Sequence, residues 1–218
     1  MAERAQQQLD LHFPNTDPRY MWRRKSNDGF TTVPRSMPVV MHALNEASKG
    51  TPPGHVLFCL WARSPDNPLI TIENPATFAA EVGFTGERAV DTWRKRMKRL
   101  RDYAMIANKP GASGEFHYVL LLNPNTGIEW MRSNGLVRDS VYGRFLDRMA
   151  EVGAFGEIDG IRELWAEQAA AQLASQAAES EVNSGNASAQ GEIKKEGEKM
   201  TRRVTGPERR LVRSGPIS

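Results

Sequence analysis

Between Arg94 and Arg101 the chain sets six cationic side chains into eight positions. Groups at that density do one kind of chemistry well: they bind anionic oxygens, arginine through a planar fork of donors and lysine as a compact point charge. At about 100° per residue, Val90, Trp93, Met97, Leu100 and Ala104 gather into one stripe, which commits that side of a helix to a core. The reverse presents Arg88, Asp91, Lys95, Arg99 and Asp102, with Thr92 and Lys98 beside them and Arg94, Arg96 and Arg101 on the flanks. From Glu87 to Asp102 seven cations face three anions. The opposite-sign i,i+4 pairs are Asp91 with Lys95 and Lys98 with Asp102. A helix shaped only for solvation interleaves its signs, because each such pair contributes about 0.2–0.5 kcal/mol and like charges subtract as much. The excess favours a polyanion over plain hydration, and DNA phosphates, whose neutralisation releases condensed counterions, fit it.

Other chemistry is thinly represented. His12, His42, His55 and His117 are scattered without metal-ligand spacing, and no phosphate-cradling glycine loop or nucleophile elbow occurs. The single cysteine, Cys59, lies in the apolar run "HVLFCLW", so an internal disulfide is excluded and a packed thiol is expected. Neither catalysis nor a cofactor is expected. The start has no long apolar stretch and no segment reads as a membrane span, so a cytoplasmic protein is expected. The net charge of +3 over 218 residues is mild; its distribution matters more.

The elements around the basic helix follow from local signals. "PVVMHALNEASKG" has helical periodicity, with Ser36 as a candidate cap and Gly50 at its end, and "GHVLFCLWAR" reads as a short buried helix. "LITIE" alternates as a short strand. Asn74 can cap a helix that starts at Pro75 and ends at Gly83, and the basic helix begins near Glu87. "AMIAN" and "FHYVLLLNP" flank "KPGASGE", a hairpin with a long polar tip. The class is mainly α with a small β-hairpin.

Two helices joined by the short turn "GFTG" and followed by a hairpin resemble the winged helix-turn-helix fold over roughly residues 33–124. That resemblance implies double-stranded DNA as partner, with the second helix in the major groove. Arg88, Asp91, Thr92 and Lys95 would then meet base edges, and Arg94, Arg96, Lys98, Arg99 and Arg101 the phosphates. In the wing, Lys109 and Ser113 beside Gly111 and Gly114 would supply a second contact; an ordinary hairpin loop is the equal alternative.

Residues 1–32 read as a flexible arm. In "RYMWRRK", Arg23, Arg24 and Lys25 either follow a DNA groove or stay hydrated while Tyr20 and Trp22 pack on the domain. "QLDLHF", Gln8 to Phe13, resembles the extended hexapeptide by which bacterial proteins dock on the DNA-polymerase sliding clamp. Gln8 would occupy a polar site, and Leu9, Leu11 and Phe13 would fill apolar ones. The alternative is an edge strand or hydrophobic anchor. Some plasmid replication initiators join such a peptide to winged helices, many carrying two where one is evident here. Residues 125–178 read as helices for packing or a homodimer contact, with Val141, Phe145, Met149 and Val152 on one stripe and Ile161, Leu164, Trp165 and Leu173 on another. Residues 179–218 read as a disordered charged tail. The expectation is a non-catalytic DNA-binding protein of a plasmid or mobile element, acting in replication control or maintenance. A transcriptional regulator and a module binding an acidic protein are the alternatives.

Overall fold

A computed structural model describes residues 2–64 and 66–177; the 179–218 segment lies outside the described residues. The chain divides into two units, Met1–Gly160 and Ile161–Ser218. In the first, helix α1 (Ala2–His12) and a 3-10 turn (Pro18–Tyr20) precede α2 (Met37–Ala47) and α3 (Gly54–Ala62). Strand β1 (Leu69–Thr71), α4 (Pro75–Glu81), α5 (Ala89–Asp102), β2 (Ile106–Gly111) and β3 (Gly114–Leu121) follow, then α6 (Pro124–Ser133) and α7 (Asp139–Glu151). Residues 155–160 are helical and close this unit; the described part of the second, 161–177, is also helical and leaves Leu164 and Leu173 exposed.

The three strands form an antiparallel sheet in the order β1-β3-β2. Leu69 pairs with Leu120 and Ile70 with Val119 on one side, Ile106 with Leu121 and Lys109 with Tyr118 on the other. Because side chains alternate across a strand, Ile70, Ile106, Val119 and Leu121 are buried while Leu69, Tyr118 and Leu120 stay exposed on the outer face. The hairpin is tighter than the sequence implies. Lys109 and Pro110 are strand residues, the ladder resumes at Gly111 opposite Gly114 after an irregularity, and the turn is only Ala112–Ser113. Pro110 lacks an N–H for the ladder but is tolerated on an edge strand.

Helix starts follow the sequence in part. The Asn74 side chain accepts the Ala76 N–H at 3.0 Å, with Pro75 next, as expected of a cap. Ser36 stands at the N-cap of α2 as expected, but its side chain makes no capping bond: it is buried, and its hydroxyl donates to Asn125 Oδ1 at 2.6 Å. Asn125 in turn donates to Glu157 at 2.9 Å, so α2, α6 and the helix beginning at 155 share a polar link. Gly83, at φ +88°, ends α4, with the Phe84 N–H bonded to the Ala79 carbonyl.

One core runs through the first unit, with α2 packed on α3, α6 and α7, and α4 on α5. Helix α6 was not foreseen, and Ile128 and Met131 on it are fully buried. Val141, Phe145 and Met149 on α7 are buried in the same core, so of packing and a homodimer contact this stripe serves packing.

Candidate nucleic-acid interface

Helix α5 spends its apolar stripe on the core. Trp93, Met97 and Leu100 are buried, and Trp93 meets Phe78 of α4 and Phe116 of β3 at ring-centroid distances of 6.2 and 6.1 Å. These contacts fix the helix's rotation. Arg88, Asp91, Arg94, Lys95, Lys98 and Arg99 consequently face out and are exposed. Arg88, Asp91, Thr92, Arg94, Lys95 and Lys98 line one open depression of about 380 Å³. The four residues expected at base edges are therefore brought together with two of those expected on phosphates.

The cations are not equivalent. Arg96 lies half-buried over the Phe84 ring at 4.8 Å and donates to the Thr92 carbonyl at 3.2 Å. Arg101 binds Glu115 of β3 at 2.5 Å and Asp102 at 3.9 Å, and Lys98 reaches Glu115 at 3.7 Å. The Arg101 guanidinium, helped by Lys98, holds the Glu115 carboxyl below its usual range. Asp91 pairs with Arg94 at 3.5 Å rather than with Lys95, and Asp102 with Arg99 at 4.0 Å rather than with Lys98. Among the described residues no carboxylate lies within 4.0 Å of Arg88 or Lys95. Those two are the freest charges on the face, while Lys98 and Arg101 tie the helix to the hairpin.

The wing residues fall elsewhere. Lys109 is exposed on β2 beside an apolar depression of about 400 Å³ on the sheet's outer face, with Leu69, Tyr118 and Leu120 around it. Ser113 is half-buried: its hydroxyl donates to the Ile72 carbonyl and lies 2.9 Å from His117 Nδ1, which is itself 3.1 Å from that carbonyl. The serine proton is committed to a backbone acceptor, so this pair locks the hairpin to β1 rather than forming a nucleophile and base. The Ser113 hydroxyl is thus engaged within the chain. His117, one of the scattered histidines, has in its period-2 position with Val119 and Leu121 the sequence signal for this buried placement.

Gln8 to His12 are helical within α1, not extended as a clamp-docking strip requires, and Gln8 Oε1 lies 3.0 Å from His12 Nε2. Leu9 is half-buried, whereas Leu11 and Phe13 are 68% and 63% exposed. Docking in the extended form would first unwind α1. Cys59 is half-buried, and burial followed by the Glu81 charge pushes its thiol up, away from the reactive thiolate. Among the described residues no group of three histidine, cysteine or acidic side chains could hold a metal, and no helix is long and apolar enough to cross a membrane.

No protein-family model matches the chain, and neither a curated protein nor a solved structure does.

Proposed function

We propose that the protein binds double-stranded DNA without catalysis, in the manner of a winged helix-turn-helix, and serves replication control or maintenance of a bacterial plasmid or mobile element. The observation that carries this reading is the outer face of α5: a helix packed by Trp93, Met97 and Leu100 that leaves Arg88 and Lys95, among the described residues, with no carboxylate within 4.0 Å in a shared open depression. The order α4, turn, α5, hairpin supports it, because a helix held this way can enter a major groove with its N-terminal residues at base edges. Arg94 and Arg99, loosely paired and exposed, serve the flanking phosphates.

The exposed row Leu69, Leu120 and Tyr118 favours a second reading, a module that binds a protein partner. One experiment separates the two. Lys95→Glu with Arg99→Glu weakens duplex affinity about a hundredfold at 0.1 M salt, since charge reversal removes one base-edge and one phosphate contact and adds repulsion. The melting temperature stays nearly unchanged, because exposed ion pairs such as Arg99–Asp102 contribute little. Arg144→Glu on α7 leaves the affinity alone. Equal affinity for both variants and the parent rejects α5 as the reading helix.

A further inference from the structure

We propose that the segment from Tyr20 to Phe30 is a contact for single-stranded nucleic acid, in which unpaired bases stack on Tyr20 and Trp22 while backbone phosphates meet Arg23, Arg24 and Lys25. The inference stands apart from the duplex reading of α5 and uses other residues.

The segment is organised. The Arg23 N–H donates to Asn27 Oδ1 at 2.7 Å, and the N–H groups of Ser26 and Asn27 both return to the Arg23 carbonyl at 3.0 Å. That closed turn displays Arg24 and Lys25 at its tip. Trp22 meets Phe30 edge-on at 6.2 Å and the Arg24 guanidinium lies 5.2 Å from the Phe30 ring centre, which folds the two arms of the loop together. The Thr31 hydroxyl donates to the Ser64 carbonyl at 2.5 Å and the Thr32 hydroxyl to Asp66 at 3.2 Å, anchoring the loop to the α3–β1 connection.

What the loop displays is unusual for a structural strap. Tyr20 is 89% and Trp22 64% exposed, so neither packs on the domain. Among the described residues no carboxylate lies within 4.0 Å of Arg23, Arg24 or Lys25. Cations alone would suit duplex phosphates. Uncovered aromatic rings add nothing there, because a duplex hides its base faces in the stack; unpaired bases offer those faces and stack on aromatic rings. Interleaved rings and cations therefore fit a single strand better than a duplex.

The test uses the full chain and a labelled oligothymidylate of about twelve nucleotides, within the span such sites cover. Tyr20→Ala with Trp22→Ala lowers affinity for the oligonucleotide by at least about tenfold and leaves a duplex of the same length bound as before. Trp22→Phe, which keeps a ring, retains most of the binding. Arg23→Ala with Lys25→Ala flattens the salt dependence. The Lys95→Glu, Arg99→Glu protein keeps its single-strand affinity, so failure of the duplex reading and failure of this one are told apart. Unchanged oligonucleotide affinity in the aromatic double variant, or equal losses for single strand and duplex, overturns the proposal.

Discussion

Helices α5 and α7 are built alike on the inside and unlike on the outside. Each buries three large residues at helical spacing, Trp93, Met97 and Leu100 in one and Val141, Phe145 and Met149 in the other, all within one core. Outside, α5 carries six cations against two acids, whereas α7 carries two cations against three acids. Every cation on α7 is engaged: Arg144 lies 2.9 Å from His42 Nε2, and Arg148 binds Glu151 at 2.6 Å and the Arg35 carbonyl at 3.1 Å. The acid at its start, Asp139, is held by Arg132 at 2.5 Å. A solvated helix closes its charges on itself and its neighbours. On α5, among the described residues, Lys95 and the adjoining Arg88 have no carboxylate within 4.0 Å and the other pairs are exposed, so the two helices differ in the outer face while the inner faces do the same structural job.

The largest effect that could break this comparison is on stability. If the inner faces are equivalent, Trp93→Ala and Phe145→Ala each cost about 3–5 kcal/mol, the usual range for emptying a buried aromatic site. Denaturant unfolding of the two variants measures it. A loss below about 1 kcal/mol for Phe145→Ala would make α7 an appendage and separate the two helices structurally.

A smaller effect sharpens the comparison at the helix ends. Helix α7 stops at Gly153, φ +72°, with the Ala154 N–H on the Met149 carbonyl at 2.9 Å. Helix α5 stops with the same pattern, Met105 N–H on the Leu100 carbonyl at 2.9 Å, but places Ala104 at φ +54° where a glycine usually sits. An L-residue in that conformation is strained by roughly 1–2 kcal/mol. Ala104→Gly is accordingly expected to stabilise the protein by about 1 kcal/mol after the extra backbone entropy of glycine is subtracted, and Gly153→Ala to destabilise it by a similar amount. Opposite signs in urea unfolding check the pair.

The same two helices show what could be read in advance. Both stripes were legible because every third or fourth position is large and apolar, a pattern only a half-buried helix satisfies. Helix α6 was not: Thr126 and Gly127 are poor helix formers, and Asn125 and Glu129, polar by type, are buried through hydrogen bonds to distant partners that no local pattern encodes. The hairpin tip was misread because Pro110 and the glycines suggest a loop, whereas pairing with β3 carries the strand through them. Leu9 and Leu11 alternate as in a strand, yet the segment is helical, with little burial to impose either period. At the site, the stripe fixed which cations face outward. Which of them are free depended in part on Glu115, fourteen or more positions along the chain from its partners, and long-range pairing of that kind is invisible to i,i+4 reasoning.

Glu115 also supplies the smallest and most discriminating effect. Its carboxylate is held by Arg101 and Lys98, and the pairing lowers its pKa in the folded state. A lowered folded-state value means that the contribution is complete at neutral pH. It begins to fade as acid reaches the ordinary glutamate range, and it is gone once the pH has fallen through the depressed value. With both partners about half exposed, the pairing is screened and contributes no more than about 1 kcal/mol. Glu115→Gln should therefore lower stability slightly at pH 7 and remove that share of the acid dependence. On DNA the same change works in the other direction. Under the proposed duplex reading, Glu115 would compete with phosphates for Lys98 and Arg101, so its removal is expected to raise duplex affinity a few-fold and to steepen the salt dependence by up to about one unit for each cation released. A fall in affinity, measured at constant salt, would mean that these two cations serve the hairpin alone, leaving Arg88 and Lys95 to carry the difference between α5 and α7.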